Sequence, residues 1–206
     1  MSTKPILFNS AMVCAILYGN KTETRRIAKS DKAPYSIGDV LYVRETWKYV
    51  GALEDHFLDG ELIDTEELRG VQYKADNFTK WFEYEPRDDE FYLSHIYPSE
   101  KWKPSLHMPK ELSRIFLKIT DVHKEHLHDM TNDDALAEGA GGGEYFDETG
   151  NPCGVVYPID EFIDIWNETI SEKDMPIYGW EANPLVWVIK FKVAKIKDKA
   201  VFSQYE

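Results

Sequence analysis

The sequence predicts an α+β protein that is mainly β, with a small barrel of strands and short flanking helices. Two observations support this class: stretches of alternating apolar residues outnumber helical stretches, and the helical stretches are short. Of the 206 residues, 43% are hydrophobic and 14% are aromatic, which is enough apolar material for a sizeable core. A chain of this length still fits around one core, so we expect a single domain spanning 1–206.

The N-terminal part begins with a helix over 9–18, where apolar residues recur at helical spacing. Gly19 follows and can adopt the left-handed conformation that ends a helix. Next comes the polar segment 21–26, then a turn at 36–39 and a buried strand over 40–45.

The segment 48–104 is rich in both acidic and aromatic residues and shows no clear periodicity. We interpret it as a large insertion between early strands of the barrel. A loop of this length without secondary structure would be unusual, so we expect one or two hairpins and partial order. The best strand candidate within it is 71–75.

Regular patterns return with a strand over 115–120, where apolar and polar residues alternate. A short helix over 131–138 begins with a capping-box pattern, Thr131 with Asp134, and ends at Gly139.

The glycines from 139 to 143 predict a flexible loop over 140–157, followed by a helix over 160–169. A last strand covers 185–193 and should bury alternate positions, and 196–206 should be a frayed tail. The positions expected to be buried in this strand are Leu185, Trp187, Ile189, Phe191 and Val193.

The charge balance limits the partners, because 37 acidic residues against 24 basic ones give a net charge of -13. Non-specific binding of long nucleic acid depends on basic groups that neutralise phosphates, so we do not expect it. A small nucleotide ligand or a short RNA bound at a local basic patch remains compatible with this charge.

Other site classes are disfavoured by composition. Cys14 and Cys153 form neither a disulfide framework nor a zinc pattern, which is typical of a reducing compartment. The three histidines at 123, 126 and 128 have no recognisable carboxylate or cysteine partners, so we expect no metal site and no cofactor. The sequence shows no signal peptide and no membrane-length apolar run, so we expect a cytoplasmic protein without membrane contacts.

The polar segment 21–26 carries the densest chemistry, with one amine, two hydroxyls and two guanidinium groups. It can be a solvated edge strand, whose charges discourage aggregation. Alternatively, it can form a site for a small polar or anionic ligand with a hydroxyl nucleophile. The residues alone leave both interpretations open.

A resemblance to a known family bears on this choice. Seven pieces of the chain, in order, resemble motifs of ASCH-domain proteins, in particular the longer branch associated with phages and prophages. These pieces span nearly the whole chain outside the acidic insertion, the loop after Gly139 and the tail. They are 19–26, 37–47, 73–76, 102–109, 113–115, 134–139 and 183–188.

The resemblance implies a PUA-like barrel and a connection to RNA or nucleotides. Small bacterial ASCH proteins include amidohydrolases that remove the acetyl group from N4-acetylcytidine. Their catalytic lysine, threonine and glutamate match Lys21, Thr24 and Glu138 here. Arg26 matches a motif arginine that suits a substrate oxygen or phosphate.

We assign three more positions to substrate binding: Arg44, Trp47 and His107. Trp47 can stack on a base, as aromatic side chains do in nucleotide sites, or belong to the core. His107 can line the pocket or be a structural histidine of a turn.

The implied mechanism needs a base for the hydroxyl of Thr24, and Lys21 serves only when it is neutral. Burial and the neighbouring arginines would lower its pKa, whereas Glu138 would raise it. Lys21 is therefore either the base or a stabiliser of the oxyanion, and Glu138 is a general acid or base. Side chains alternate along a strand, so Lys21 and Thr24 converge only if Lys21 lies in the turn after Gly19.

Two functions remain open after this reasoning. The first is an amidohydrolase that removes an acyl group from the exocyclic nitrogen of a modified cytidine-type nucleoside. The second is a non-catalytic, phage-associated ASCH module that binds RNA or a modified nucleotide in the same pocket. Resemblance in fold alone does not establish activity.

Overall fold

The structure, a computed structural model, describes residues 2–82, 99, 101–146 and 148–197. Strands predominate along the chain, with four helices between them, and short 3-10 turns join several of the described elements. In chain order the elements are β1 (Thr3–Leu7), α1 (Ser10–Leu17), β2 (Glu23–Ile27), β3 (Val40–Arg44), β4 (Trp47–Leu58), β5 (Glu61–Tyr73), β6 (Thr79–Trp81), β7 (Ile115–His126), α2 (Asn132–Glu138), β8 (Gly143–Phe146), β9 (Pro152–Val156), α3 (Pro158–Glu168), α4 (Met175–Tyr178) and β10 (Leu185–Ile196).

The strands form three sheets. The largest has the order β1-β3-β7-β10-β2, the second has the order β4-β5-β6, and β8 pairs with β9. The predicted class, α+β and mainly β with short helices, is confirmed. Hydrogen bonding among the described residues leaves the five-stranded sheet open, with β1 and β2 as its two end strands.

The chain divides into two units, each built from separate stretches of sequence. Unit 1 contains Met1–Lys4, Ala15–Leu41 and Phe116–Ala194, and unit 2 contains Pro5–Cys14, Tyr42–Ile115 and Lys195–Glu206. The single domain over 1–206 stays a prediction. Within the described part of the chain, no helix is long and apolar enough to cross a membrane.

The core of unit 1 joins the helices to β10. Phe162 and Trp166 of α3 pack with Ala135 of α2 and Val186 of β10. The capping box predicted for the short helix is present: Thr131 accepts a hydrogen bond from the backbone N–H of Asp134. The predicted helix over 9–18 and strand over 40–45 are confirmed as α1 and β3.

The predicted burial of alternate positions in the last strand is wrong at three of the five positions, Leu185, Trp187 and Val193. Val186 and Val188 are buried, whereas Leu185 and Val193 are exposed and Trp187 is half-buried. Ile189 is buried as expected, and so is Phe191. The alternation fails because the middle of β10 is covered on both faces, as the consecutive buried residues Val188 and Ile189 show.

The glycine-rich region holds regular structure where we predicted a flexible loop over 140–157. β8 and β9 pair as an antiparallel hairpin, with Glu144 opposite Val155. The carboxylate of Glu161 in α3 accepts the backbone N–H groups of Gly141 and Gly142, at 2.7 and 2.8 Å. A long-range hydrogen bond of this kind leaves no local signal in the sequence.

The segment predicted as an insertion, 48–104, contains a long ribbon in unit 2. β4 and β5 pair from Trp47↔Tyr73 to Leu58↔Glu61, and β6 pairs with the end of β5. The strand candidate 71–75 is the end of β5. Residues 83–98 and 100, and most of the tail predicted over 196–206, lie outside the described residues.

Candidate functional site

Lys21 lies in the turn between α1 and β2. Gly19 has a φ of 82°, the left-handed conformation that ends α1. The backbone N–H groups of Asn20 and Lys21 then both donate to the carbonyl of Ala15. β2 begins at Glu23, so the predicted position of Lys21, in the turn after Gly19, is confirmed.

Glu138 is the last residue of α2, which ends because Gly139 adopts a φ of 95°. The stem of Lys21 passes next to this glycine. A β-carbon at position 139 would lie 3.5 Å from Cβ of Lys21 and 2.8 Å from Cβ of Ala15. The absent side chain therefore makes room for Lys21 at the end of the helix.

Lys21 and Glu138 meet although 117 positions separate them in the sequence. Lys21 Nζ lies 2.5 Å from Glu138 Oε2 and donates to the Glu138 backbone carbonyl at 2.7 Å. Both residues are buried, with exposed fractions of 1% and 8%. The structure thus brings together two of the three side chains assigned to catalysis.

The environment of Lys21 disfavours its charged form. Burial lowers the pKa of Lys21, and nearby Arg26 lowers it further. Glu138 and Glu23 act in the opposite direction, but the net change is downward. A lysine with a lowered pKa can supply a neutral amine nearer to physiological pH than a free lysine can.

Thr24 lies in β2, opposite Ile189 of β10, and its exposed fraction is 0%. Its Oγ1 accepts a hydrogen bond of 2.8 Å from a guanidinium nitrogen of Arg26. Residues directly opposite each other share a sheet face, and Arg26 lies opposite Trp187. Thr24, Arg26 and Trp187 therefore belong to one face of β2 and β10.

The other face of β2 carries Glu23 and Arg25. Arg25 binds Glu23 at 2.6 Å and Glu125 of β7 at 2.8 Å, and lies 3.5 Å from Glu138 Oε1. Lys190 of β10 binds Glu23 at 3.0 Å. Burial alone would lower the pKa of Arg25, but these carboxylates raise it.

Arg26 and Tyr35 lie near each other and are both half-buried. Burial lowers the pKa of Arg26, and the carboxylate of Glu138 offsets part of this effect. Burial also raises the pKa of the Tyr35 phenol. Glu138 therefore acts electrostatically on Lys21, Arg25 and Arg26, which places one carboxylate at the centre of the site.

Sequence reasoning missed several groups of this site, because they join it through long-range pairing. Trp187 is half-buried, and Lys124 Nζ lies 4.9 Å from the centre of its ring. Alternation alone predicted Trp187 to be in the core. Tyr35 and Glu125 had no local signal.

Arg44, Trp47 and His107, the other predicted binding residues, belong to unit 2, whereas Lys21, Thr24, Arg26 and Glu138 belong to unit 1. Arg44 donates to the carbonyl of Leu106 at 3.3 Å, and its guanidinium lies 5.5 Å from the centre of the Tyr42 ring. His107 is exposed at the end of a 3-10 turn over Ser105–His107.

Trp47 is part of the core of unit 2, with an exposed fraction of 2%. It packs with Val71, Tyr73 and Met108 and meets the ring of Tyr49 edge-on at 4.8 Å. With its ring covered in this way, stacking on a base would require the core of unit 2 to rearrange.

The described residues contain no group of three or more metal-binding side chains. His123 is paired with Asp121 at 2.6 Å and with Glu125 at 3.5 Å. A cavity of about 290 Å³ lies elsewhere in unit 1, between the β8–β9 hairpin and α3. Its lining consists of Gly142, Gly143, Glu144, Val156, Glu161 and Asp164.

No protein-family model and no curated protein matches this chain. A solved structure, the crystal structure of an ASCH domain from Lactobacillus crispatus JV V101, is similar to it, with a TM-score of 0.45 and 14% sequence identity. The similarity covers 94% of this chain and 80% of that one. At this TM-score, the proposal of the ASCH family rests on the seven sequence motifs.

The geometry supplies the components of an activated nucleophile. A buried amine with a lowered pKa contacts a carboxylate, and a hydroxyl on the adjacent strand accepts a hydrogen bond from a guanidinium. A hydroxyl is a weak nucleophile on its own and needs a neighbouring base or a nearby positive charge. Arg26 supplies the positive charge at the Thr24 hydroxyl, and Lys21 is an amine with a lowered pKa in the same unit.

Proposed function

We propose that this chain is an ASCH-family amidohydrolase that removes an acyl group from the exocyclic nitrogen of a modified cytidine-type nucleoside. The observation that carries this proposal is the contact of 2.5 Å between Lys21 Nζ and the Glu138 carboxylate, in a site where burial lowers the pKa of Lys21. The sequence motifs that include Lys21, Thr24 and Glu138 supply the substrate class.

In the first step, Thr24 Oγ1 attacks the amide carbon of the acyl group, and neutral Lys21 takes the hydroxyl proton. The guanidinium of Arg26, 2.8 Å from the same oxygen, stabilises the negative charge as the proton leaves. An oxygen–carbon bond forms, and the carbonyl becomes an oxyanion.

In the second step, the carbon–nitrogen bond breaks, and the cytidine amino group leaves with a proton. Lys21 and Glu138 share the proton that is transferred, because their side chains are in direct contact. Water then attacks the acyl-threonine, with the Glu138 carboxylate as its base. The products are a carboxylic acid, the nucleoside and free Thr24.

Access to Thr24 depends on Arg26. Thr24 is fully buried, and Arg26 is the half-buried side chain bonded to its hydroxyl. A substrate reaches Oγ1 when this guanidinium moves from the hydroxyl to an oxygen of the ligand. Arg26 is thus the substrate-binding residue of the proposal, and the net charge of -13 favours a small substrate over a long strand.

A second candidate is a non-catalytic module that binds RNA or a modified nucleotide. The burial of Thr24 favours it, and so does the role of Lys21 in closing the end of α2 through the Glu138 carbonyl. In such a module Arg26 binds the ligand, and no bond is broken.

The experiment that tests the proposal is incubation of the full chain with N4-acetylcytidine, followed by chromatography of the released cytidine. Thr24→Val removes the hydroxyl at nearly constant volume and should abolish release. Thr24→Ser keeps a hydroxyl and should retain measurable turnover. Brief incubation followed by mass spectrometry should detect one acetyl group on Thr24.

Absence of turnover with every acylated cytidine, together with saturable nucleotide binding that weakens in Arg26→Ala, would establish the binding module instead. Equal turnover by the wild type and Thr24→Val would remove Thr24 from the mechanism.

A further inference from the structure

We propose that Arg25 is a positioning residue that orients the carboxylate of Glu138 toward Lys21. This inference rests on the proposed function for its kinetic consequence, but its structural part can be measured without turnover. Arg25 acts through Glu138 and not on the substrate, because its side chain is buried and each nitrogen of its guanidinium faces a carboxylate of the protein.

The two oxygens of Glu138 face different cations. Oε2 meets Lys21 Nζ at 2.5 Å, and Oε1 lies 3.5 Å from a guanidinium nitrogen of Arg25. A carboxylate held through both oxygens cannot rotate freely about its last side-chain bond. Arg25 therefore fixes the orientation in which the Glu138 carboxylate meets Lys21.

Arg25 is itself held in place. Its Nε and one terminal nitrogen both bind Glu125 at 2.8 Å, and the other terminal nitrogen binds Glu23 at 2.6 Å. The side chain is 1% exposed. The planar guanidinium is therefore anchored by β2 and β7, and the nitrogen that binds Glu23 is the one that faces Glu138.

Other charged and titratable groups surround this pair from every packed element. The turn before β2 supplies Lys21 itself, and the segment after β2 supplies Tyr35. The strands and α2 supply Glu23, Arg26, Glu125, Asp134 and Lys190. Four cationic and four anionic side chains meet here when Lys21 is protonated, so removing Arg25 alone would leave an excess of negative charge.

The test therefore uses a charge-balanced double variant, Arg25→Met with Glu125→Gln. It removes one charge of each sign, and Lys190 still pairs with Glu23 at 3.0 Å. Circular dichroism and a thermal melt establish that the variant is folded. With N4-acetylcytidine we expect kcat to fall by about 10–100-fold with KM nearly unchanged, because small misplacements of catalytic groups have effects of this size.

Two further variants isolate the contribution of Arg25. Glu125→Gln alone weakens one anchor of Arg25 but leaves its cation beside Glu138, so its loss of kcat should be smaller than that of the double variant. Arg25→Lys with Glu125→Gln restores a cation near Glu138 and should recover part of the lost rate. A purely structural role for Arg25 would change stability in these variants without this pattern in kcat.

A second readout does not depend on turnover. The pH titration of Lys21 can be followed by NMR of its labelled side-chain nitrogen. Glu138 raises the pKa of Lys21, so loosening their contact should move the titration midpoint to lower pH in the double variant.

The outcomes separate the two proposals. An unchanged Lys21 midpoint in the folded double variant, relative to Glu125→Gln, overturns the positioning role of Arg25, whatever the activity. If the wild type shows no turnover but the Lys21 midpoint is shifted in the double variant, Arg25 positions Glu138 and the amidohydrolase function is excluded.

Discussion

Each unit of this protein buries an arginine among carboxylates, and the two clusters differ in what burial does to their cations. In unit 2, Arg114 binds Glu45 at 2.9 and 2.8 Å and Asp76 at 2.8 and 2.9 Å. Its guanidinium also lies 4.2 Å from the centre of the Tyr73 ring. Although burial opposes the charge, these partners raise the pKa of Arg114, so its cation is stabilised.

In unit 1, Arg25 has a similar set of partners, but a lysine shares the central carboxylate. Burial lowers the pKa of Lys21 although Glu138 is in contact with it. The partners in the first cluster therefore raise the pKa of its cation, whereas burial in the second lowers the pKa of Lys21 despite its partner. Perturbed groups of the second kind are concentrated at functional sites. Pairing alone does not distinguish the two clusters, whereas a cation disfavoured despite its partner favours unit 1 as the candidate site.

The largest expected effect is a loss of turnover in unit 1 variants whose stability changes little. Lys21→Met should reduce turnover of N4-acetylcytidine by about 10²–10⁴-fold, the usual contribution of a positioned acid or base. Removing both charges, in Lys21→Met with Glu138→Gln, should change the free energy of unfolding by no more than about 1 kcal/mol, because replacing a buried ion pair is often neutral. Kinetics and urea denaturation measure the two quantities. If these variants lost stability but kept full activity, the cluster of unit 1 would be structural and not part of an active site.

Arg114→Met should have the opposite profile. It leaves Glu45 and Asp76 buried without their guanidinium, so we expect the free energy of unfolding to fall by about 3–5 kcal/mol. Urea denaturation measures this loss. Neutralising both acids in the same chain, with Glu45→Gln and Asp76→Asn, should restore part of the stability. If Arg114→Met were as stable as the wild type, this cluster would not be structural.

Gly139→Ala tests the end of α2, where Lys21 passes. The φ of 95° and the contact of 2.8 Å with Cβ of Ala15 both oppose a methyl group. We expect a loss of about 1–3 kcal/mol in the free energy of unfolding, and lower turnover because Lys21 is displaced. The matched control is Gly143→Ala, because a β-carbon there would have no heavy atom within 4 Å. Equal stability of the two variants would contradict the crowding described at Gly139.

The smallest effect is a shift in pH dependence. Glu23 raises the pKa of Lys21, so Glu23→Gln should lower that pKa further. If neutral Lys21 is the active form, the rising limb of kcat against pH should move to lower pH, by less than about one pH unit. The exposed Glu172→Gln serves as the control and should leave the limb in place. A move to higher pH would show that protonated Lys21 is the active form.

Much of the local structure could be predicted from the sequence. The end of α1 at Gly19, the capping box at Thr131 and the end of α2 at Gly139 depend on residues close together in the chain. The position of Lys21 in a turn followed from the geometry of strands. These features obey short-range rules, which sequence patterns record directly.

The parts that could not be predicted depend on partners far away in the sequence. The β8–β9 hairpin is anchored by Glu161 of α3, and the middle of β10 is buried on both faces. The partners of Arg25 include Glu125, which lies 100 positions away, and a single sequence does not reveal a pairing at that separation. The surroundings of Lys21 and Glu138 could therefore be assigned only from the structure.

The separation between Lys21 and Glu138 also has a consequence for biosynthesis. The β4–β5 ribbon pairs neighbouring stretches of chain and can form soon after they leave the ribosome. The contact between Lys21 and Glu138 must wait until translation has passed α2, since it closes a loop of 117 positions. The amine of Lys21 and the carboxylate of Glu138 therefore meet only after most of the chain has been synthesised.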